Sequence, residues 1–267
     1  MYSVEKALAT AILAATYEGM RVKRFPHIIA IFLLVLMPLR QAQASITVVG
    51  SPNVKKGQTK IEARTGFSKD NNRSSADGRV RSRIQIDHGF NDIYAGRISF
   101  STDKRKNGNM EAEDWTIENR FHLLKRADHG FDFGTRVNYS YRDGDKKPDR
   151  LSFRLYTRAP LKKWELRFNQ IFNRDIGQMQ RTGISLNTEM QLTYPFAERH
   201  RFGFETFNVF GRLNRLYGGW SSQNHTFGPV LKGKLIRNSL EYEIGYRAGI
   251  SRAAPDHSFK LVMGKAF

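Results

Sequence analysis

The 267-residue sequence has no cysteine, which removes disulfide frameworks, thiolate metal centres and cysteine nucleophiles at once. Histidine is scarce, at seven. None of the seven has serine two residues later, the spacing that would put nucleophile and base on one face of a strand. His257-Ser258 and His225-Thr226 are adjacent pairs, whose side chains point to opposite faces of a strand. No group of histidines and carboxylates has metal-ligand spacing, so no catalytic residue, metal or cofactor is expected and the protein is read as a non-enzyme. Long apolar runs are missing too: the longest, Ile28 to Met37, is about ten residues, too short for a membrane-crossing helix. Mean hydropathy is −0.54. Acidic residues are few, 25 against 44 Lys and Arg, for a formal net charge of +19.

That short apolar run has a context. Arg21, Lys23 and Arg24 precede it, and Ala42-Gln43-Ala44 forms a small-x-small site before Ser45. A basic region, a ten-residue apolar core and such a site make a secretory signal peptide. Residues 20–44 are therefore expected to be removed between Ala44 and Ser45. Residues 1–19 contain Glu5 and Glu18, which suit a signal start poorly, and are read as a mis-called upstream extension beginning before Met20. Loss of 1–44 removes five basic and two acidic residues and leaves +16. Residues 45–56 form a segment that lies either in the periplasm or in a lumen.

From residue 57 to 267 the chain alternates. In Phe131 to Arg142, Phe131, Phe133, Thr135, Val137, Tyr139 and Tyr141 fall on one face of a strand. Asp132, Gly134, Arg136, Asn138, Ser140 and Arg142 fall on the other. The period of two means one aromatic, apolar face and one wet, charged face. The run has about the 9–11 residues a tilted strand needs to cross a bilayer. The pattern recurs in about twelve runs, or ten if the two poorest fail. In Phe202 to Phe210 the apolar phase slips, which suggests a bulge near Thr206. His225 to Leu235 contains Gly228-Pro229, which suggests a bent or late-starting strand. Connections alternate between long polar stretches, such as Ser68–Gly78 and Asp103–Asp114, and short ones, such as Pro160–Lys163. The predicted fold class is all-β: an antiparallel up-and-down transmembrane barrel of twelve strands, with long external loops and short periplasmic turns.

The terminal run HSFKLVMGKAF, alternating apolar residues and ending on Phe267, resembles the assembly signal of Gram-negative outer-membrane barrels. The resemblance implies an outer-membrane location, recognition of Phe267 by the barrel-assembly machinery, and outer-membrane lipid and lipopolysaccharide as surroundings. NHTFGPVLKG and the tail from Gly249 are similar to segments of proteobacterial outer-membrane proteins, a likeness that carries no activity. In strand number and basic interior the chain also resembles the oligogalacturonate-specific porins, with none of their sequence motifs. Barrels of the outer-membrane phospholipase, deacylase and omptin protease families are the enzymatic alternative. The first two carry the His-x-Ser pair that is missing here.

Arginine on the inward faces is the anomaly. Alternation directs Arg81, Arg83, Arg97, Arg120, Arg136, Arg142, Arg154, Arg158 and Arg167 into the lumen. Rings of arginine favour anions in a pore, and guanidinium forks bind carboxylate or phosphate. The expected function is a small anion-preferring channel for small acidic solutes. In an exported barrel this charge does not point to nucleic acid. The bland alternative is a closed structural barrel in which these charges pair across neighbouring strands. In the hairpin carrying Arg136, Arg142, Arg154 and Arg158 the only inward acid is Asp132, so poor local neutralisation is expected there. Trp115, Trp164, Tyr194 and Tyr242 read as an interfacial girdle, and Gly218-Gly219-Trp220 as a loop that could fold inward.

Overall fold

Alternation alone is enough to close a sheet when every strand has one face to bury and one to show. The computed structural model describes residues 43–44, 46–71, 77–142, 147–214, 219–235 and 240–267. The expected signal peptide up to Ala42, the upstream extension and Ser45 lie outside the described residues, and of Gln43 and Ala44 only the backbone is described. A two-residue strand, β1 (Gln43–Ala44), is followed by twelve long ones. These are β2 (Thr59–Lys69), β3 (Val80–Gly89), β4 (Tyr94–Lys104), β5 (Met110–Leu124), β6 (Asp132–Arg142) and β7 (Asp149–Leu161), then β8 (Trp164–Ile176), β9 (Ile184–Ala197), β10 (His200–Arg212), β11 (Asn224–Leu235), β12 (Leu240–Gly249) and β13 (His257–Ala266). Each of the twelve pairs antiparallel with its chain neighbours, and β13 returns to β2 to close the barrel. No helix among the described residues is long and apolar enough to cross a membrane. The two short helices, α1 (Arg126–His129) and α2 (Gly219–Ser222), sit in connections.

The barrel is inside-out relative to a soluble domain. Ile86, Ile98, Ile117, Tyr139 and Leu151 lie in direct register across β3 to β7, and all are exposed on the outer surface. The next row, Gln85, Ser99, Thr116 and Ser140, faces in and is buried. An apolar band this continuous would be costly in water and is matched to lipid.

Two of the sequence expectations need correction. No register shift occurs at Thr206; β10 holds one register from Arg201 to Val209 and bulges at Phe210, before Gly211. Phe207 therefore stays in phase and turns inward, where it is buried. Its apolar side chain is tolerated there because the Arg247 guanidinium lies 3.9 Å from the ring centroid. β11 is neither late nor shortened. It pairs with β10 straight through Gly228 and Pro229, and only its ladder to β12 is interrupted at those two residues. Proline's missing donor therefore costs hydrogen bonding along one edge only. A second bulge, between Ser101 and Thr102, leaves Glu113 unmatched on β5. There both Glu113 and Asp114 are turned inward.

The seam closes unevenly. At its short-turn end Ala266 pairs with Lys60, and Phe267 and Thr59 exchange two backbone hydrogen bonds, of 2.8 and 3.3 Å. At the long-loop end β1 lies between the closing strands, parallel to β13 at Ser258 and Phe259 and antiparallel to β2 at Ser68.

Candidate functional site: the lumen and its external mouth

The inward arginines all lie where alternation puts them, but they are not bare. Arg136 donates to Glu118 at 2.7 Å, Arg154 to Glu189 at 2.8 Å and Arg158 to Glu165 at 2.7 Å. The hairpin expected to be poorly neutralised takes its counter-charges from β5, β8 and β9 on either side. Arg97 is bonded to Asp87 at 2.7 Å, and Arg120 to the same carboxylate at 2.8 Å. Arg167 donates to Glu165 at 2.9 Å. Arg81 holds Glu113 through its Nε at 2.8 Å, and Arg83 donates to Ser101 at 2.7 Å with Asp114 at 3.5 Å. Arg142 is different. Its backbone N–H donates to Asp149 at 2.8 Å, and among the described residues no carboxylate forms an ion pair with its guanidinium.

Several carboxylates serve more than one cation. Glu118 takes Arg97 and Arg136; Glu165 takes Arg158 and Arg167 with Lys232 at 3.9 Å; Glu113 takes Arg79, Arg81 and Lys147. Arg120, Arg136 and Arg154 stand directly opposite one another on three consecutive strands. Like charges in that register repel. Asp87, Glu118 and Glu189, from flanking rows, hold the three in place. Asp87, Asp103, Glu113, Asp114 and Asp175 are further inward acids that the alternation pattern does not pick out. Charged strand ends look like loop, and β5 and β8 run on through them beyond the apolar band.

The stretch from Ile46 to Lys56 occupies the lumen. Ile46, Val49 and Pro52 are buried. The carbonyl of Ile46 accepts from Arg64 at 3.4 Å and that of Thr47 from Lys260 at 3.3 Å. Gly50 lies on the ring of Tyr156, and a Cβ there would sit 2.6 Å from that ring. Arg136 and Arg154 flank the same ring, at 5.9 and 5.7 Å. At the short-turn end Gly89 gives way to the Lys55 carbonyl, which a Cβ would meet at 2.1 Å, and Gly57 donates to Gly89 at 2.7 Å. Of the two places open to residues 45–56, the described part takes the lumen.

Its upper anchor is a fully buried ionic cluster. Lys260 is 0% exposed and donates to Glu205 and Glu243, both at 2.7 Å. Arg247 stands 3.5 Å from Glu205, and Gln191 donates to Glu205 at 3.3 Å while accepting from Lys232. Such a cluster is tolerated only because nearly every charge in it has a partner.

At the external mouth, Asp175 accepts from three arginines: Arg181 at 3.0 Å, Arg212 at 3.3 Å and Arg150 at 3.4 Å. They line a pocket of about 320 Å³. A smaller pocket of about 120 Å³ is lined by Tyr141, Arg142, Asp149 and the Gly177 loop. In the neighbouring loops Lys106 bonds Asp77 at 2.5 Å and holds its carboxyl below the usual range. Of the Gly218-Gly219-Trp220 loop, Gly218 lies outside the described residues, and Trp220 packs against β11 and the residue after β12. Trp220 stacks on His225 at 3.9 Å and donates to the Ile250 carbonyl at 3.1 Å. His225 shares its strand face with the outward Phe227.

No protein-family model matches the chain, and no curated protein is similar to it in sequence. Solved structures do match the fold. An outer-membrane channel from Pseudomonas putida F1 superposes with a TM-score of 0.62 at 9% identity, over 83% of this chain and 100% of that one. The NanC porin gives 0.55 at 10% identity, over 77% and 98%. The KdgM porin, solved in complex with disordered oligogalacturonate, gives 0.53 at 11% identity, over 78% and 99%. By fold, the chain is a closed twelve-stranded antiparallel β-barrel with an architecture like that of the KdgM porin.

Proposed function

We propose that the protein is an outer-membrane channel for small acidic solutes, with an anion-preferring lumen narrowed by residues 46–56. The observation that carries this is the sharing of carboxylates. Arg120, Arg136 and Arg154 form one row in register, and two of the three acids beside it, Asp87 and Glu118, each serve cations from two strands. The lumen is therefore left with excess positive charge although most of its arginines are paired. A low-dielectric wall strengthens that field, and fixed cations favour anion entry. The fold supports a bacterial outer-membrane location. The exposed cations Lys104, Arg105 and Lys106 in the β4–β5 loop suit lipopolysaccharide phosphates, and the outward, exposed Phe267 suits the barrel-assembly machinery.

The segment across the lumen favours a second reading, a closed barrel that serves as a scaffold. Planar-bilayer recording of the refolded whole protein separates the two. A small conductance with a reversal potential favouring chloride supports the channel. Silence from protein shown to be folded supports the scaffold, and cation selectivity overturns the anion preference.

A further inference from the structure

The geometry points to a phosphate-binding site at the external mouth, built by Arg150, Arg181 and Arg212 around Asp175. It deepens the channel reading and rests on it for its biological role, though the binding itself needs no conduction.

Three guanidiniums share one carboxylate here, which leaves the group with a formal +2. The three Asp175 contacts, at 3.0, 3.3 and 3.4 Å, are spread over two oxygens. Asp175 by itself does not satisfy three forks. Arg150 Nε and Asn187 Oδ1, both on pocket-lining residues, are buried with no hydrogen-bond partner among the described residues. Arg142, opposite Asp114 in register, is a further cation at this mouth. The pocket, about 320 Å³, is at the lower end of the range used for small ligands. Its inner wall is Asn173, Ser185 and Asn187, hydrogen-bonding groups suited to the hydroxyls of a carrier such as a sugar.

A tetrahedral dianion fits this arrangement better than a single carboxylate does. It offers several acceptor oxygens to several forks, and its second charge balances the +2. Phosphate could arrive on a free solute or on lipopolysaccharide. Asn173, Asp175, Ser185 and Arg150 stand on the inward faces of β7, β8 and β9, on the water side of the wall. That placement selects the soluble source.

The test is calorimetric titration of the whole protein in lipopolysaccharide-free detergent with inorganic phosphate, with a parallel titration using lipopolysaccharide micelles. Arg181 lies in a loop and is largely exposed, so Arg181→Gln leaves the barrel intact. It should weaken phosphate about tenfold, the loss expected for one charge-assisted hydrogen bond. Arg174→Gln, on an outward arginine one residue from Asp175, should change binding less than about twofold, since surface charges there are screened. Asp175→Asn removes the competing acceptor and should tighten phosphate binding. A purely structural ion pair would show no such gain. The site is overturned if wild-type protein binds no phosphate, if Arg174→Gln loses as much as Arg181→Gln, or if only lipopolysaccharide binds in an Arg181-dependent way. A silent bilayer with intact, Arg181-dependent phosphate binding would sink the channel and leave the site standing.

Discussion

Gly50 rests on the ring of Tyr156, with no room for even a methyl group between them. Because Arg136 and Arg154 flank that ring, the lumenal segment crosses the barrel at its arginine row. Gly50→Val should push the segment off Tyr156. The expected result is a several-fold larger single-channel conductance, with strand content by circular dichroism unchanged. A conductance equal to wild type would mean the segment does not limit passage.

The segment's upper end hangs on Lys260. Removing one partner from a buried, paired cluster costs about 3–5 kcal/mol, since the remaining charges are left uncompensated. Lys260→Met should therefore lower the urea midpoint of the refolded barrel by an amount corresponding to that loss. The Thr47 carbonyl also loses the Lys260 donor, one of the contacts that hold residues 46–50, so these residues should become more accessible to protease. Stability within about 0.5 kcal/mol of wild type, the usual range for a surface change, would show that the cluster around Lys260 does not stabilise the barrel.

Topology is open to a direct test because the chain has no cysteine. Asn107 lies in the β4–β5 loop and Asp128 in α1, at opposite ends of β5. An impermeant thiol reagent applied to intact cells should label Asn107→Cys and spare Asp128→Cys. Equal labelling would contradict the assignment of long loops to the outside.

Deleting Phe267 should reduce assembled barrel far more than Phe259→Ala. Both remove an outward aromatic. The deletion also removes the two backbone hydrogen bonds to Thr59 that close the short-turn end of the seam, together with the terminal group expected to be recognised during assembly. Like losses, read from the heat-modifiable band on gels, would reduce Phe267 to an ordinary strand position.

The barrel was legible in the sequence because its rule is local: alternation needs only neighbours in the chain, and Phe131 to Arg142 shows it without any knowledge of partners. What the sequence hid was non-local. Glu113 turns inward only because β5 bulges against β4, and Glu189 reaches Arg154 across β8. Phe207 looked like a slip in phase because an inward phenylalanine is unusual, and its partner Arg247 lies forty residues on. The path of residues 46–56 was hidden for the same reason. SITVVGSPNVKK carries no alternation strong enough to place it, and its position depends on Tyr156, Gly89 and Lys260, far away in sequence.

The last prediction contrasts two arginines on one strand. Arg136 and Arg142 both face in from β6, but among the described residues only Arg136 forms an ion pair, with Glu118 at 2.7 Å. Arg136→Glu would set a second buried carboxylate beside Glu118. It would also oppose two arginines in register, Arg120 and Arg154, that already have their own acids. The lost pair and the new repulsion should cost at least about 3 kcal/mol, enough to lower the assembled yield. Arg142→Glu breaks no ion pair among the described residues, and although it would face Asp114 in register it does so at the mouth, where water screens the repulsion, so the barrel should fold with at most a small loss of yield. The substitution moves the local charge by two units where a solute first enters. The reversal potential should therefore move toward cations at 0.1 M salt, where screening acts over about 10 Å, and the shift should shrink at 1 M. Exchanging the pair as Arg136→Glu with Glu118→Arg should recover part of the lost yield, which a general intolerance of substitution at Arg136 would not allow. If Arg136→Glu assembles normally and shifts selectivity as much as Arg142→Glu does, the paired lumen described above is wrong.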